Sequence, residues 1–182
     1  MRCTATVLAC SVLVMPAAVH AQSAPTGLRG KSVIVSWIED RSLRAVGEAT
    51  FRQNRATFSR SIYISTEGRP FVRTTVTPGR RTGSAEAVGE GGRSFAGGAR
   101  EVRFQGRILI MTTTMTAGGA RRLTVEFADG FDSCTARVVT AKETGAKVIR
   151  GKSLVTGRPM EVQSVTASGA TCTVRSGNVF AN

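Results

Sequence analysis

The chain has 182 residues and carries 25 Lys and Arg against 12 Asp and Glu, a formal net charge of +13. Its only histidine is His20, so residues 21–182 cannot supply a Ser-His-Asp or Cys-His arrangement, or the histidine ligands usual in catalytic zinc sites. The strong positive charge favours an anionic partner over a cationic one.

The first 21 residues have the pattern of a cleavable signal peptide. Arg2 supplies the basic start, residues 6–14 form a short apolar run, and Ala21 ends an A-x-A-like cleavage site. We therefore expect cleavage after Ala21 and a periplasmic or secreted protein, with acylation of Cys10 as the alternative. No run reaches the roughly 20 apolar residues of a membrane-spanning helix, so no transmembrane segment is predicted.

Beyond residue 30, apolar and polar residues alternate with the period of two that is typical of β-strands. We predict an N-terminal extension at residues 22–30 and a single β domain at residues 31–182, with a glycine-rich loop at residues 78–98. Only residues 39–50 leave room for a helical turn. The predicted strands are residues 32–37, 60–64, 71–76, 102–104, 108–115, 123–127, 134–140, 162–166 and 171–174.

Turn residues separate these strands at hairpin spacing, for example Asp129-Gly130, Thr144-Gly145 and Ser168-Gly169. Short strands joined in this way predict an all-β, antiparallel meander of about ten strands.

The cysteines constrain how the meander closes. Cleavage after Ala21 would leave only Cys134 and Cys172, and an oxidising compartment favours a disulfide between them. Two strands are expected to intervene, a gap of roughly 14 Å in a flat sheet, whereas a disulfide needs Cα atoms about 4.4–6.8 Å apart. The sheet must therefore curl into a closed barrel, which we expect, or fold into a two-sheet β-sandwich.

Two Gly-Lys-Ser sequences, at residues 30–32 and 151–153, resemble the end of a phosphate-binding loop. That loop requires a glycine five residues before the Gly-Lys pair, where this chain has Pro25 and Ala146. We therefore expect no nucleotide cofactor, and we assign no metal site. With one Trp, one Tyr and eight Phe, the chain also lacks the aromatic platform on which single-stranded nucleic acids stack.

Hairpin geometry predicts one cluster of candidate binding residues. If Asp129-Gly130 is a two-residue turn, Arg122 faces Arg137, and if Thr144-Gly145 is the next turn, Arg137 faces Lys152. Such a row of like charges is unfavourable unless solvent screens it or an anion binds. Arg122, Arg137 and Lys152 are therefore the candidate anion-binding residues. The opposite face is predicted to join the core through Leu123, Val125, Phe127, Cys134, Ala136 and Val138.

Carboxylate pairs are the remaining route to catalysis, because glycoside hydrolysis needs two carboxyl groups about 5–9.5 Å apart and no histidine. The candidates are Glu39 with Asp40, Glu126 and Asp132. Their spacing does not select a pair, so no residue is assigned as catalytic.

Several segments resemble a group of small exported, β-rich proteins of Gram-negative bacteria. They are GKSVIVSWIEDR at residues 30–41, GRPFVR at 68–73, GARRLTVEF at 119–127, SCTARVV at 133–139 and GNVF at 177–180. The resemblance implies an exported location and brings no activity, ligand or catalytic residue.

These observations favour an exported, non-enzymatic binding or structural protein whose basic surface meets an anionic partner. That partner could be an envelope polysaccharide, a lipid headgroup or an acidic protein. One alternative is a periplasmic enzyme inhibitor that uses the loop at residues 78–98, and the other is a carboxylate-based hydrolase. The sequence leaves the oligomeric state open.

Overall fold

A computed structural model describes residues 23–79, 85–90, 94–95, 98–115, 119–142, 145, 147–153 and 156–181. The predicted signal peptide and its cleavage site lie outside these residues. So does part of the predicted turn at Thr144-Gly145, because residues 143–144 are not described.

The described residues form eleven antiparallel β-strands and one short 3₁₀ helix, Thr26–Leu28, with no α-helix among them. One sheet has the strand order β10-β11-β1-β2-β3-β4 and the other has the order β5-β6-β7-β8-β9. The strands are β1 (Lys31–Ala45), β2 (Arg52–Ile64), β3 (Pro70–Pro78), β4 (Ala85–Glu90), β5 (Ser94–Phe95), β6 (Gly98–Gln105), β7 (Ile108–Met115), β8 (Gly119–Phe127), β9 (Cys134–Lys142), β10 (Ile149–Lys152) and β11 (Pro159–Ser176).

The all-β prediction is confirmed, and three segments differ from the expected strands. Residues 39–45 continue β1 and form no helical turn. Strands β4 and β5 lie within the segment predicted to be a glycine-rich loop. The predicted turn at Ser168-Gly169 is a bulge within β11, where the register with β1 shifts. Gly169 adopts a φ of +62° there, a conformation that glycine tolerates at a bulge.

The two sheets share a core formed by one face of each long strand. In β1 and β8, alternate residues are buried and the intervening ones are more exposed. The predicted core face of β8 and β9 is confirmed, since Leu123 pairs with Val138, Val125 with Ala136 and Phe127 with Cys134.

One end of this core is closed by apolar residues of the 3₁₀ helix and of the connection between β8 and β9. Leu28 of the 3₁₀ helix is fully buried, and Phe131 packs against Phe127 with ring centres 5.7 Å apart. The Nζ of Lys31 donates a hydrogen bond to the carbonyl of Phe131 at 3.0 Å. We call this region the sealed end: it comprises the 3₁₀ helix, the connection between β8 and β9, and the disulfide.

The two sheets meet along a seam between β9 and β11. The predicted Cys134–Cys172 disulfide is confirmed and holds their Cα atoms 5.6 Å apart. Further along, the hydroxyl of Thr140 donates to the carbonyl of Val165 at 3.0 Å. No backbone ladder joins the described residues of β9 and β11, so a two-sheet sandwich fits at least as well as the closed barrel that we predicted.

Among the residues described, no helix is long and apolar enough to span a membrane.

Candidate functional site

The predicted pairing of Arg122 with Arg137 is wrong by two residues. Arg122 lies opposite Val139, and Arg137 lies opposite Thr124. The reason is the connection, which runs from Ala128 to Ser133 and is therefore longer than a two-residue turn. Both arginines are exposed on the outer face of the second sheet, offset from each other along the strands.

Lys152 does not extend that pair into a row. It lies on β10, opposite Pro159 of β11, and so belongs to the other sheet. The chain crosses between the sheets after β9, and buried Ile149 packs on Gly119 at the start of β8. The three candidate residues therefore do not converge, and anion binding by them stays a prediction.

A second group of charged residues, which the sequence analysis did not predict, lies between the sheets. Glu39 of β1 is fully buried and forms a two-point ion pair with Arg121 of β8, with nitrogen–oxygen distances of 2.6 and 2.8 Å. The indole nitrogen of Trp37 donates to the same Glu39 carboxylate at 2.9 Å. Both carboxylate oxygens are therefore occupied, and the ion pair ties the two sheets together behind the seam.

Two further arginines surround the same aromatic residues. The rings of Trp37 and Phe58 stack with centres 5.4 Å apart. Buried Arg60 lies over Trp37 at 5.3 Å and donates to the hydroxyl of Thr113 at 2.9 Å. Arg41 lies 5.1 Å from the Phe58 ring centre, and its half-buried position lowers its pKa because burial disfavours the charged form. The interior here is therefore strongly cationic and lined with aromatic rings.

The strand period explains why these charges lie inside. Glu39 and Arg41 share the parity of the core residues Val33, Val35 and Trp37, and Arg60 shares that of Phe58 and Ile62. Arg121 has the parity of the core residues in β8. Charged residues at core-facing positions were thus the signal in the sequence, and we missed it because the predicted strand ended at residue 37, before Glu39.

The rim around this interior carries more cations. Buried Glu161 accepts hydrogen bonds from Arg44 at 2.9 Å and from Arg150 at 3.2 Å. Arg44, and then Arg150, hold the pKa of Glu161 below its usual value. We call this region the cationic end. It comprises the inner residues Arg41, Arg60 and Arg121, and the rim residues Arg44, Arg52, Lys142, Lys147, Arg150, Lys152 and Arg158.

Glu39 and Asp40, two of the carboxylates considered for hydrolysis, lie on opposite faces of β1 and do not form a catalytic pair. Glu39 points into the core, whereas its neighbour Asp40 points outward and binds Arg55 at 2.7 Å. Glu126 and Asp132 are exposed on the second sheet and its connection. Among the described residues, no group of three or more His, Cys, Asp or Glu side chains could hold a metal ion.

A shallow cleft of about 530 Å³ lies along the seam between β9 and β11. Its lining is mostly Ala, Val, Ser, Thr and Gly, and Arg137 is its one charged residue among those described. The disulfide and the Thr140–Val165 bond hold the strands together along it. An additional strand between β9 and β11 would need about 9.5 Å between them. The Cα atoms of Cys134 and Cys172 are only 5.6 Å apart, so no strand fits between β9 and β11 at the disulfide.

The chain matches no known protein family, and neither the curated proteins nor the solved structures contain a detectable match. The candidate site is therefore assigned from the geometry of the described residues alone.

Proposed function

We propose that this protein is an exported, non-enzymatic binding protein that holds an anionic polymer, such as an acidic envelope polysaccharide, across its cationic end. The single observation that carries the proposal is the concentration of arginine and lysine at this end, both inside and on the rim. Two of the rim arginines share Glu161, whereas the other rim cations are exposed and form no ion pair with a described residue.

An extended partner fits this distribution better than a single small ion. The rim cations come from β1, β2, β9, β10 and the adjoining connections, and so span both sheets. A polymer with repeated negative charges can contact several of them at once, and arginine can bind carboxylate or sulfate groups through two parallel hydrogen bonds.

The test measures binding to dextran sulfate, a sulfated polysaccharide, at low and moderate salt. We expect binding that weakens as salt rises, because exposed charges are screened over about 10 Å at 0.1 M salt. The double variant Lys142→Gln/Lys152→Gln should bind about 30-fold more weakly, because each cation beside an anionic surface contributes on the order of 1 kcal/mol and about 1.4 kcal/mol is a factor of ten.

The matched control is Arg122→Gln/Arg137→Gln, which removes the same charge from the outer face of the second sheet. We expect this control to bind within about twofold of the wild type. Equal losses in the two double variants would show that net charge alone governs binding, and salt-independent binding would also contradict the proposal.

A further inference from the structure

Arg41 is an inner cation that forms no ion pair with a described residue, although the charge of Glu39 attracts it. Glu39 uses both carboxylate oxygens for Arg121 and Trp37. The Nε of Arg41 is buried and has no hydrogen-bond partner among the described residues. A buried polar group without a partner costs free energy, and the cost is larger for a charged group.

A second cation lies on the same ring. The guanidinium carbon of Arg121 is 4.9 Å from the centre of Phe58, and that of Arg41 is 5.1 Å from it. Arg41 cannot relieve the repulsion by losing its proton, because arginine stays charged in proteins. The charge of Glu39 attracts Arg41 and offsets this repulsion in part, and a negative group bound to both guanidinium groups would offset it further.

Arg41 is the more accessible of the two cations. It is half-buried and lies closer than Glu39 to the cationic end of β1, whereas Arg121 is buried. A group that enters from the rim would therefore reach Arg41 first. The rings of Trp37 and Phe58 stack on each other, and the guanidinium carbon of Arg121 lies 6.0 and 4.9 Å from their centres, within the range of a cation–π contact.

We propose that Arg41 and Arg121 together bind one oxyanion group, a sulfate, phosphate or carboxylate, between the two sheets at the cationic end. The proposal rests on the proposed function, in that the anionic polymer would supply this group. Arg60 adds positive charge to the same interior from its position over Trp37. The rim residues would then provide affinity for the polymer, and the inner site would distinguish polymers by the anionic group that they carry.

The experiment titrates sodium sulfate into the folded protein by calorimetry, with sodium chloride at matched ionic strength as the reference. We expect saturable binding of one sulfate, at least tenfold weaker in Arg41→Gln. Arg175→Gln removes an exposed arginine of β11 that lies outside the cationic end, and it should bind sulfate within twofold of the wild type. Arg41→Lys keeps the positive charge but lacks the planar guanidinium group, so its affinity for sulfate should lie between those of Arg41→Gln and the wild type. Such a graded loss would show that binding, and not folding, is affected.

A dextran sulfate oligosaccharide tests the source of the group. If the free ion and the oligosaccharide compete, the inner site accepts either. If only the oligosaccharide binds and Arg41→Gln weakens it more than Arg175→Gln does, the group belongs to the polymer. Equal binding by Arg41→Gln and Arg175→Gln to both probes overturns the inner site.

Failure of the proposed function gives a different result. If sulfate binds and depends on Arg41 while the Lys142→Gln/Lys152→Gln variant holds dextran sulfate as tightly as the wild type, the inner site stands and the rim proposal is wrong.

Discussion

The sealed end and the cationic end of this two-sheet fold are built by the same strands with opposite chemistry. On β1, the residues at alternate positions on the core-facing side change from Val33 and Val35 to Glu39 and Arg41. On β8 they change in the same sense, from Phe127 and Val125 to Arg121. The alternation of buried and more exposed residues holds from Val33 to Asp40 on β1 and from Arg121 to Phe127 on β8, and only the residue type on the inner face differs.

The difference teaches where stability and binding reside. A buried Val, Leu or Phe side chain at the sealed end contributes about 1.5–3 kcal/mol by leaving water. A buried ion pair at the cationic end carries a desolvation cost that can exceed its attraction, so it adds little net stability. Charges kept inside at such a cost are expected to serve recognition, which is the basis of our proposals.

The largest effect should come from Glu39→Gln, which leaves Arg121 buried without its counter-charge. We expect a loss of about 3–5 kcal/mol in the free energy of unfolding, measured by urea denaturation at neutral pH. Asp40→Asn is the matched control, because it removes an exposed carboxylate one residue away, and it should cost far less. Similar losses in both variants would show that the buried Glu39–Arg121 pair matters no more for stability than the exposed Asp40–Arg55 pair.

Opening the disulfide tests the sealed end. The Cys134→Ala/Cys172→Ala variant removes a bond between residues 38 positions apart, and we expect a loss of about 2–4 kcal/mol. The same urea measurement, with the wild type oxidised and reduced, checks the result. Unchanged stability would mean that the seam is held by other contacts.

The crossing between the sheets can be tested with Gly119→Ala. A Cβ atom there would lie 2.8 Å from two carbons of buried Ile149, so we expect a loss of about 1–3 kcal/mol from overpacking. Gly151→Ala, on β10, places its Cβ in open space and should change stability little. A tolerated Gly119→Ala would place β10 differently from the position described.

The smallest expected effect is on the stability of the fold at low pH, and it involves Glu67. The hydroxyls of Thr66 and Ser65 lower the pKa of Glu67, near the sealed end, to about 2. A depressed folded-state pKa stabilises the fold above the unfolded value of 4.5, and this contribution is lost as pH falls toward 2. The melting temperature should therefore fall less steeply between pH 5 and pH 2 in Glu67→Gln than in the wild type. Parallel curves of melting temperature against pH would contradict this.

The sequence predicted the fold class and the disulfide because both depend on local period and on cysteine chemistry. It did not predict the register of Arg122 with Val139, since that depends on the length of the connection from Ala128 to Ser133. The bulge at Gly169 was also missed, because a glycine between two strand-like runs predicts a turn and a bulge equally.

The candidate site was harder to predict, since its residues come from distant parts of the chain. Glu39 and Arg121 are 82 residues apart and meet only because the two sheets face each other. Parity alone could have placed each of them on a core face. Pairing them required knowledge of how the sheets stack.

The most direct test of the account is an NMR titration of the isotope-labelled protein with a short dextran sulfate oligosaccharide, following backbone amide shifts. We predict that the shifts concentrate at the cationic end, in residues 41–46 and 147–153 and around Arg121. Shifts centred on the sealed end, or on the outer face around Arg122 and Arg137, would contradict the claim that the cationic end is the binding surface.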